Sequence, residues 1–326
     1  MPCRAPLEAA RLRGEKPVIF KRGRRPKTLQ DGYEELELPC GRCVSCRLEK
    51  SRQWGVRLAC EMTYLWEELN QGSVFITLTY DEQHLPIDRS LVPEHLQLFI
   101  KKLREHVARK HNGQLIRHFS AGEYGSQCQL HELENCPKCG PIQRPHYHSI
   151  ILGYQFPDRR YQGDREGFPV YQSEELEKIW GKGRTEITTA NFQTAAYTAG
   201  YILKKQTGKN VDEGHYTTYC PLRDNWYEVL PEFAHMSTQP GIGMPWLGIY
   251  WDDVYKNDQM PIPGRGLYGV APDYFDKLAE KWGYVNMEQI KQNRSAKMAE
   301  SIANGPSMES RAIVQDAKMS KLQRQL

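Results

Sequence analysis

Residues 74–80, V-F-I-T-L-T-Y, constrain the fold of this chain most tightly. Val74, Ile76, Leu78 and Tyr80 alternate with Phe75, Thr77 and Thr79, so an extended chain here has two different faces. A helical pattern follows. Pro93 suits a first helical position, and Leu96, Phe99, Ile100, Leu103 and Val107 recur at steps of three and four, which predicts a helix ending near Lys110. Strands are expected at 115–120 (L-I-R-H-F-S), 146–152 (H-Y-H-S-I-I-L) and 184–188, with a short helix over 174–180 and another over 192–206. The order β-α-β-β-α-β-α predicts an antiparallel sheet with helices packed on one face, the ferredoxin-like class of α+β fold. That class carries many activities, so function must be argued from side chains.

The first informative side chains are His146 and His148. On a strand they project from one face while Tyr147 points the other way, so two imidazoles converge. Glu123, in G-E-Y-G after the strand at 115–120, sits where a turn could present a carboxylate beside them. Two imidazoles and a carboxylate, with positions left open, can hold a divalent ion on a phosphodiester. A third group lies on the helix expected at 192–206. At about 100° per residue, Tyr197, Tyr201 and Lys204 fall within roughly 60° of one another, opposite Phe192, Ala195, Ala199, Ile202 and Leu203. A tyrosine hydroxyl, with an ordinary pKa of about 10, needs a cation such as Lys204 to act as an oxyanion nucleophile. Together the groups suggest phosphoryl transfer by tyrosine.

The nine cysteines lack a signal-peptide context, so metal is a better expectation than disulfides. Cys128, His131, Cys136 and Cys139 have the spacing of a structural zinc site that would order a loop. Cys40, Cys43 and Cys46, with Cys60 as a candidate fourth ligand, form a second candidate metal cluster, for which an iron-sulfur cluster and reduced structural thiols are the alternatives.

Charge is placed unevenly. Of 44 Lys and Arg and 40 Asp and Glu, residues 1–30 hold nine and two, which leaves 35 basic against 38 acidic residues elsewhere. Arg22, Arg24 and Arg25 in this arm, and Lys205 on the helix, suit contacts with DNA phosphates, although the arm equally suits a solvated tail. No apolar run reaches the roughly 18 residues of a membrane span. The chain divides into a basic arm and Cys-rich helical region (1–70), a domain carrying the site (71–210), and an irregular to helical C-terminal extension (211–326).

R-P-H-Y-H-S-I-I-L-G resembles the His-hydrophobic-His motif of HUH endonucleases, V-F-I-T-L-T-Y-D the strand preceding it in rolling-circle initiators, and A-Y-T-A-G-Y-I-L-K-K their tyrosine helix. The paired tyrosines, with P-C-G-R-C-V-S-C-R and the P-G-I-G near residue 241, resemble replication initiators of the Microviridae, particularly gokushovirus-like members. The resemblance spans about residues 38–245. It implies an HUH-type fold and an enzyme that nicks and rejoins single-stranded origin DNA through a 5′-phosphotyrosine. His146 and His148 would bind Mg²⁺ or Mn²⁺, and Tyr197 and Tyr201 would alternate as nucleophiles. Supercoiled duplex origin DNA, a host helicase and a host polymerase are the implied partners, in the host bacterial cytoplasm. One departure is that Lys204 follows Tyr201 by three residues, whereas Gly200 stands at that place after Tyr197. A transposase or relaxase with the same site, and a non-enzymatic zinc-containing module that stacks single-stranded bases, are the competing readings.

Overall fold

The computed structural model describes residues 3–12, 17–20, 32–125, 127–128, 133–134, 144–165, 167–200, 215–220, 224–262, 266–267 and 269–325. In chain order the elements are β1 (Leu7–Leu12), β2 (Val18–Ile19), β3 (Tyr33–Leu38), α1 (Val44–Leu69), β4 (Val74–Thr79), α2 (Pro93–Lys110), β5 (Arg117–Tyr124), β6 (Gln127–Cys128), β7 (Leu133–Glu134), β8 (Pro145–Leu152), β9 (Arg160–Arg165) and β10 (Phe168–Gln172). They continue with α3 (Glu174–Trp180), β11 (Thr185–Thr189), α4 (Phe192–Gly200), β12 (Thr217–Cys220), β13 (Asn225–Glu228), β14 (Phe233–Met236), α5 (Met244–Tyr255), β15 (Pro261–Ile262), β16 (Gly266–Leu267), α6 (Asp273–Trp282), α7 (Met287–Asn304) and α8 (Met308–Gln325). Contacts group residues 1–50 with 293–326 as one compact unit and residues 51–292 as another. Among the described residues, no helix is long and apolar enough to cross a membrane.

The smaller unit holds an antiparallel sheet in the order β2-β1-β3, which the sequence reading of a basic arm did not anticipate. The larger unit is built on a seven-stranded antiparallel sheet, β14-β5-β8-β4-β11-β10-β9. Strand β9, R-Y-Q-G-D-R, forms one edge; the pairing with β10 shifts register between Val170 and Tyr171 and passes over Gln162.

Helices cover both faces of this sheet, which corrects the expectation of one covered face. On one side Ile76, Leu78, Tyr147 and Ile151 pack against Leu96, Phe99, Ile100, Leu103 and Val107 of α2 and against Leu176, Ile179 and Trp180 of α3. On the other, Phe75, Phe119, Ile150 and Leu152 pack against Leu58 and Leu65 of α1, Ala195 of α4, and Ile242. The reason lies in β8. Ile150, Ile151 and Leu152 are consecutive, so apolar side chains leave both faces and both need cover. A further cluster joins Val56 of α1 to Trp246, Leu247 and Val254 of α5 and to Phe275 and Ala279 of α6.

The start of α2 shows how β8 is fixed to its helix. Val92 stands at the N-cap and has no side-chain oxygen to satisfy the helix end. The Tyr147 hydroxyl instead ties down the main chain of the cap residue itself, accepting from Val92 N and donating to Val92 O, both at 2.9 Å. The Tyr147 hydroxyl also shares a hydrogen bond of 2.7 Å with the Tyr80 hydroxyl, which in turn lies 2.8 Å from His95 Nδ1. Beside this chain, the Tyr124 hydroxyl accepts from Leu91 N at 2.9 Å. Tyr147→Phe should therefore lower unfolding stability by about 1–3 kcal/mol, because it leaves the part-buried Val92 N–H without its acceptor and breaks the buried bond to Tyr80. A urea titration showing an unchanged midpoint would contradict this.

At the junction of β5 and β14, His118 is 1% exposed, with Nδ1 2.8 Å from Ser120 Oγ and its ring stacked on His235 at 5.2 Å. Burial first, then the positive charge of Arg104 and of His235, pushes its pKa down to about 3. The unfolded chain takes up this proton near pH 6.5, whereas the folded chain excludes it. Stability is thus fully present above about pH 6.5 and falls between there and about pH 3, by up to about 1.4 kcal/mol per pH unit. His118→Asn should flatten that part of the profile in denaturant titrations; an identical slope would remove His118 as its source.

Candidate functional site

The site is assembled by pairing register. Glu123 on β5 lies opposite His146 on β8, and Thr77 on β4 lies opposite His148. Side-chain alternation puts Glu123, His146, His148 and Thr77 on the face that also carries Phe75, Phe119 and Ile150, which α1 and α4 cover. Glu123 is a strand residue; the sequence reading placed it in a turn. G-E-Y-G suggested a turn, yet Gly122 is not in the left-handed region. Its lack of a side chain answers a close approach instead, since a Cβ there would lie 2.8 Å from the Phe233 ring and 3.0 Å from Leu91.

The ligand atoms of Glu123, His146 and His148 all lie within 4.8 Å of one another. His146 Nε2 is 2.7 Å and His148 Nε2 3.4 Å from Glu123 Oε1. Each ring is held from behind. His146 Nδ1 lies 3.2 Å from the carbonyl of Arg144, which can only accept, so this nitrogen donates and orients the ring with Nε2 toward Glu123; with an ion bound there, Nε2 would present its lone pair to the metal. His148 Nδ1 meets Thr77 Oγ1 at 3.0 Å, and its ring stacks on Phe75 at 5.3 Å. Neither Thr77 nor Phe75 is singled out by the sequence, because their roles depend on register with β8. Burial alone would raise the Glu123 carboxyl pKa; hydrogen bonds from His146 and His148, and their charge, outweigh it and hold the group well below the usual carboxylate range. Two imidazole nitrogens and one carboxylate oxygen could hold a divalent metal ion.

The tyrosine helix packs on the strand that bears the histidines. Ala195 and Ala199 are fully buried, in keeping with the apolar back read from the sequence. The backbone of Tyr197 belongs to α4, whereas Tyr201, Lys204 and Lys205 lie outside the described residues. Arg22, Arg24 and Arg25 lie outside them as well. Of the expected zinc loop, the backbone of Cys128 pairs with Leu133 in the β6–β7 hairpin; His131, Cys136 and Cys139 lie outside the described residues.

The second cysteine cluster has a different fourth member from the one expected. Cys40, Cys43 and Cys46 gather with Cys3, and Cys60 is fully buried in the apolar cluster of Val56, Ala59, Trp246 and Phe275. Cys46 and Cys60 share one helix, α1, where fourteen residues rise about 21 Å, so they cannot meet at one ion. Cys3 is delivered by the β1–β3 register, in which Leu7 pairs with Leu38 and the residues before one strand therefore approach those after the other.

Known proteins resemble this chain along much of its length. A family model described as replication-associated protein ORF2/G2P matches residues 73–132, from the start of β4 through Glu123 to the β6–β7 hairpin. The replication-associated protein ORF2 of Spiroplasma virus 4 is 29% identical over 294 residues, covering 86% of this chain and 81% of that protein. The replication-associated protein VP4 of Bdellovibrio phage phiMH2K is 27% identical over 259 residues, covering 78% of this chain and 71% of that protein. No solved structure matches. The family model and both relatives support a phage replication initiator.

Proposed function

We propose that the chain is a metal-dependent HUH endonuclease and strand transferase that nicks and rejoins single-stranded phage origin DNA in rolling-circle replication, through a 5′-phosphotyrosine. The observation that carries this reading is the Glu123–His146–His148 group on the sheet face against which α4, the helix of Tyr197, is packed. An ion held by these three residues would polarise the scissile phosphate and take up charge on the leaving 3′ oxygen.

The chain's own groups do the rest. A tyrosine hydroxyl, with Lys204 favouring its oxyanion, attacks phosphorus in line; the phosphorus–oxygen bond to the 3′ side breaks and that oxygen takes a proton. Later a free 3′ hydroxyl attacks the phosphotyrosine, which restores the phosphodiester and returns a proton to the phenol. No nucleotide cofactor is needed, because the bond energy is kept in the ester. Tyr197 and Tyr201, one helical turn apart, would have Cβ atoms about 5–6 Å apart, so either could reach one phosphate and each could hold one end. Supercoiled duplex origin, a host helicase and a host polymerase in the bacterial cytoplasm belong to the same reading, as does zinc on Cys128, His131, Cys136 and Cys139.

The test is covalent capture. The full chain is incubated with Mn²⁺ and single-stranded oligonucleotides tiled across its genome, then run on a denaturing gel. A shifted adduct is expected from the enzyme and none from a binding module. His148→Ala and Glu123→Gln should lose the adduct while retaining most DNA affinity, since Lys and Arg contacts to phosphate dominate binding. Thr77→Val, which removes the hydroxyl behind His148, should weaken Mn²⁺ by about 10–100-fold in calorimetry. Wild-type cleavage by His148→Ala in Mn²⁺ would refute the ion site.

The tyrosines are tested separately. Tyr197→Phe and Tyr201→Phe should each still give an adduct, with Tyr201→Phe more impaired because Lys204 follows it at the family spacing. The double variant should give none, and neither single variant should release closed circles. Circle release at the wild-type rate by Tyr197→Phe would leave Tyr201 as sole nucleophile.

A further inference from the structure

We propose that Cys3, Cys40, Cys43 and Cys46 hold a structural zinc ion that closes the unit formed by residues 1–50 and 293–326. Their sulfur atoms lie within 4.8 Å of one another. Cys3 Sγ and Cys43 Sγ are 3.7 Å apart. Four thiolates around one ion, with metal–sulfur bonds of about 2.3 Å, sit at the corners of a tetrahedron whose edge is about 3.8 Å. A disulfide would bring two sulfurs to about 2.05 Å. An iron-sulfur cluster spreads its thiolates over separate irons and so requires wider spacing than this.

The main chain holds two of the sulfur atoms in place as well. Cys40 Sγ accepts hydrogen bonds from the N–H of Cys43 at 3.3 Å and of Arg42 at 3.5 Å, and Cys3 Sγ accepts one from the N–H of Cys40 at 3.3 Å. These bonds fix where the Cys40 and Cys3 sulfur atoms stand.

The ion has structural work to do in this unit. Arg4, next to Cys3, pairs with Asp316 at 3.0 Å and donates to the carbonyl of Ala312 at 2.9 Å. Ser45, between Cys43 and Cys46, donates to Gln315 Oε1 at 2.5 Å. Residues on both sides of the cysteine group thus hold α8, and fixing the four sulfurs fixes the seat of that helix. The site is remote in role from the ion of the histidine group: sulfur ligands select zinc, and four of them leave no position open for substrate.

The test uses the full chain, purified reduced and without chelator, with zinc counted by mass spectrometry. Cys3→Ser and Cys46→Ser should each lose about one zinc per chain relative to wild type, and Cys60→Ser should lose none. In parallel, the Cys136→Ser/Cys139→Ser variant removes the ligands proposed for the loop and leaves this unit intact. It should keep about one zinc per chain, and its cobalt-exchanged form should show intense thiolate-to-metal absorption. Zinc removal from that variant should expose α8 to limited proteolysis. Wild-type zinc content in Cys3→Ser, metal-free Cys136→Ser/Cys139→Ser protein, or iron in place of zinc would each overturn the assignment. DNA cleavage is not the readout, so failure here is separable from failure of the proposed activity.

Discussion

The pleat of β8 is the constraint on which the larger unit depends. In an antiparallel ladder, consecutive side chains must leave by opposite faces, so H-Y-H cannot deliver two imidazoles to one side without sending a tyrosine to the other. The fold gives that tyrosine a task. Its hydroxyl ties down the main chain of Val92 at the cap of α2, and hydrogen bonds link it through Tyr80 to His95. A slip of one residue would bury the histidines beneath α2 and leave Tyr147 beside Glu123, so both faces enforce the same register.

The opposite layer is tied by charge. Glu61 of α1, 1% exposed, accepts from the Arg117 guanidinium at the start of β5 and from the N–H of Gly243 at 2.7 Å. Arg57, one turn earlier, donates to the carbonyl of Ile242 at 3.0 Å and lies over the rings of Trp54 and Tyr274 at 4.0 and 3.9 Å. A buried carboxylate is tolerable only with such partners, and here they anchor the P-G-I-G segment to helix and sheet together. Gly243 has φ +83° and its missing Cβ would meet the Phe275 ring at 2.8 Å, which explains a glycine at that place.

Elements whose signal is local were legible. The strand at 74–79, helices at 93–110 and 174–180 and the strand at 145–152 all carry their own periodicity, and the histidine pair could be read from one strand alone. The remainder depends on long-range pairing. F-A-H-M of β14 is four residues long and R-Y-Q-G-D-R of β9 does not alternate, so neither announces itself before its neighbour is known. Glu123 was found by its proximity to the predicted strand, but its strand conformation follows from pairing with His146. Cys3 was not legible as a ligand because 37 residues separate it from Cys40, and only the β1–β3 register closes that gap.

Strand β9 has its own consequence at the end of the sheet. Its exposed residues include Arg160, Asp164 and Arg165, and Gln162 has no partner in the ladder, where Gly163 takes φ +128°. An incoming strand from a second copy would meet charge of both signs and a bent row of main-chain donors and acceptors. Growth of the sheet into fibres by edge-to-edge pairing is therefore opposed at this border by shape as well as by charge.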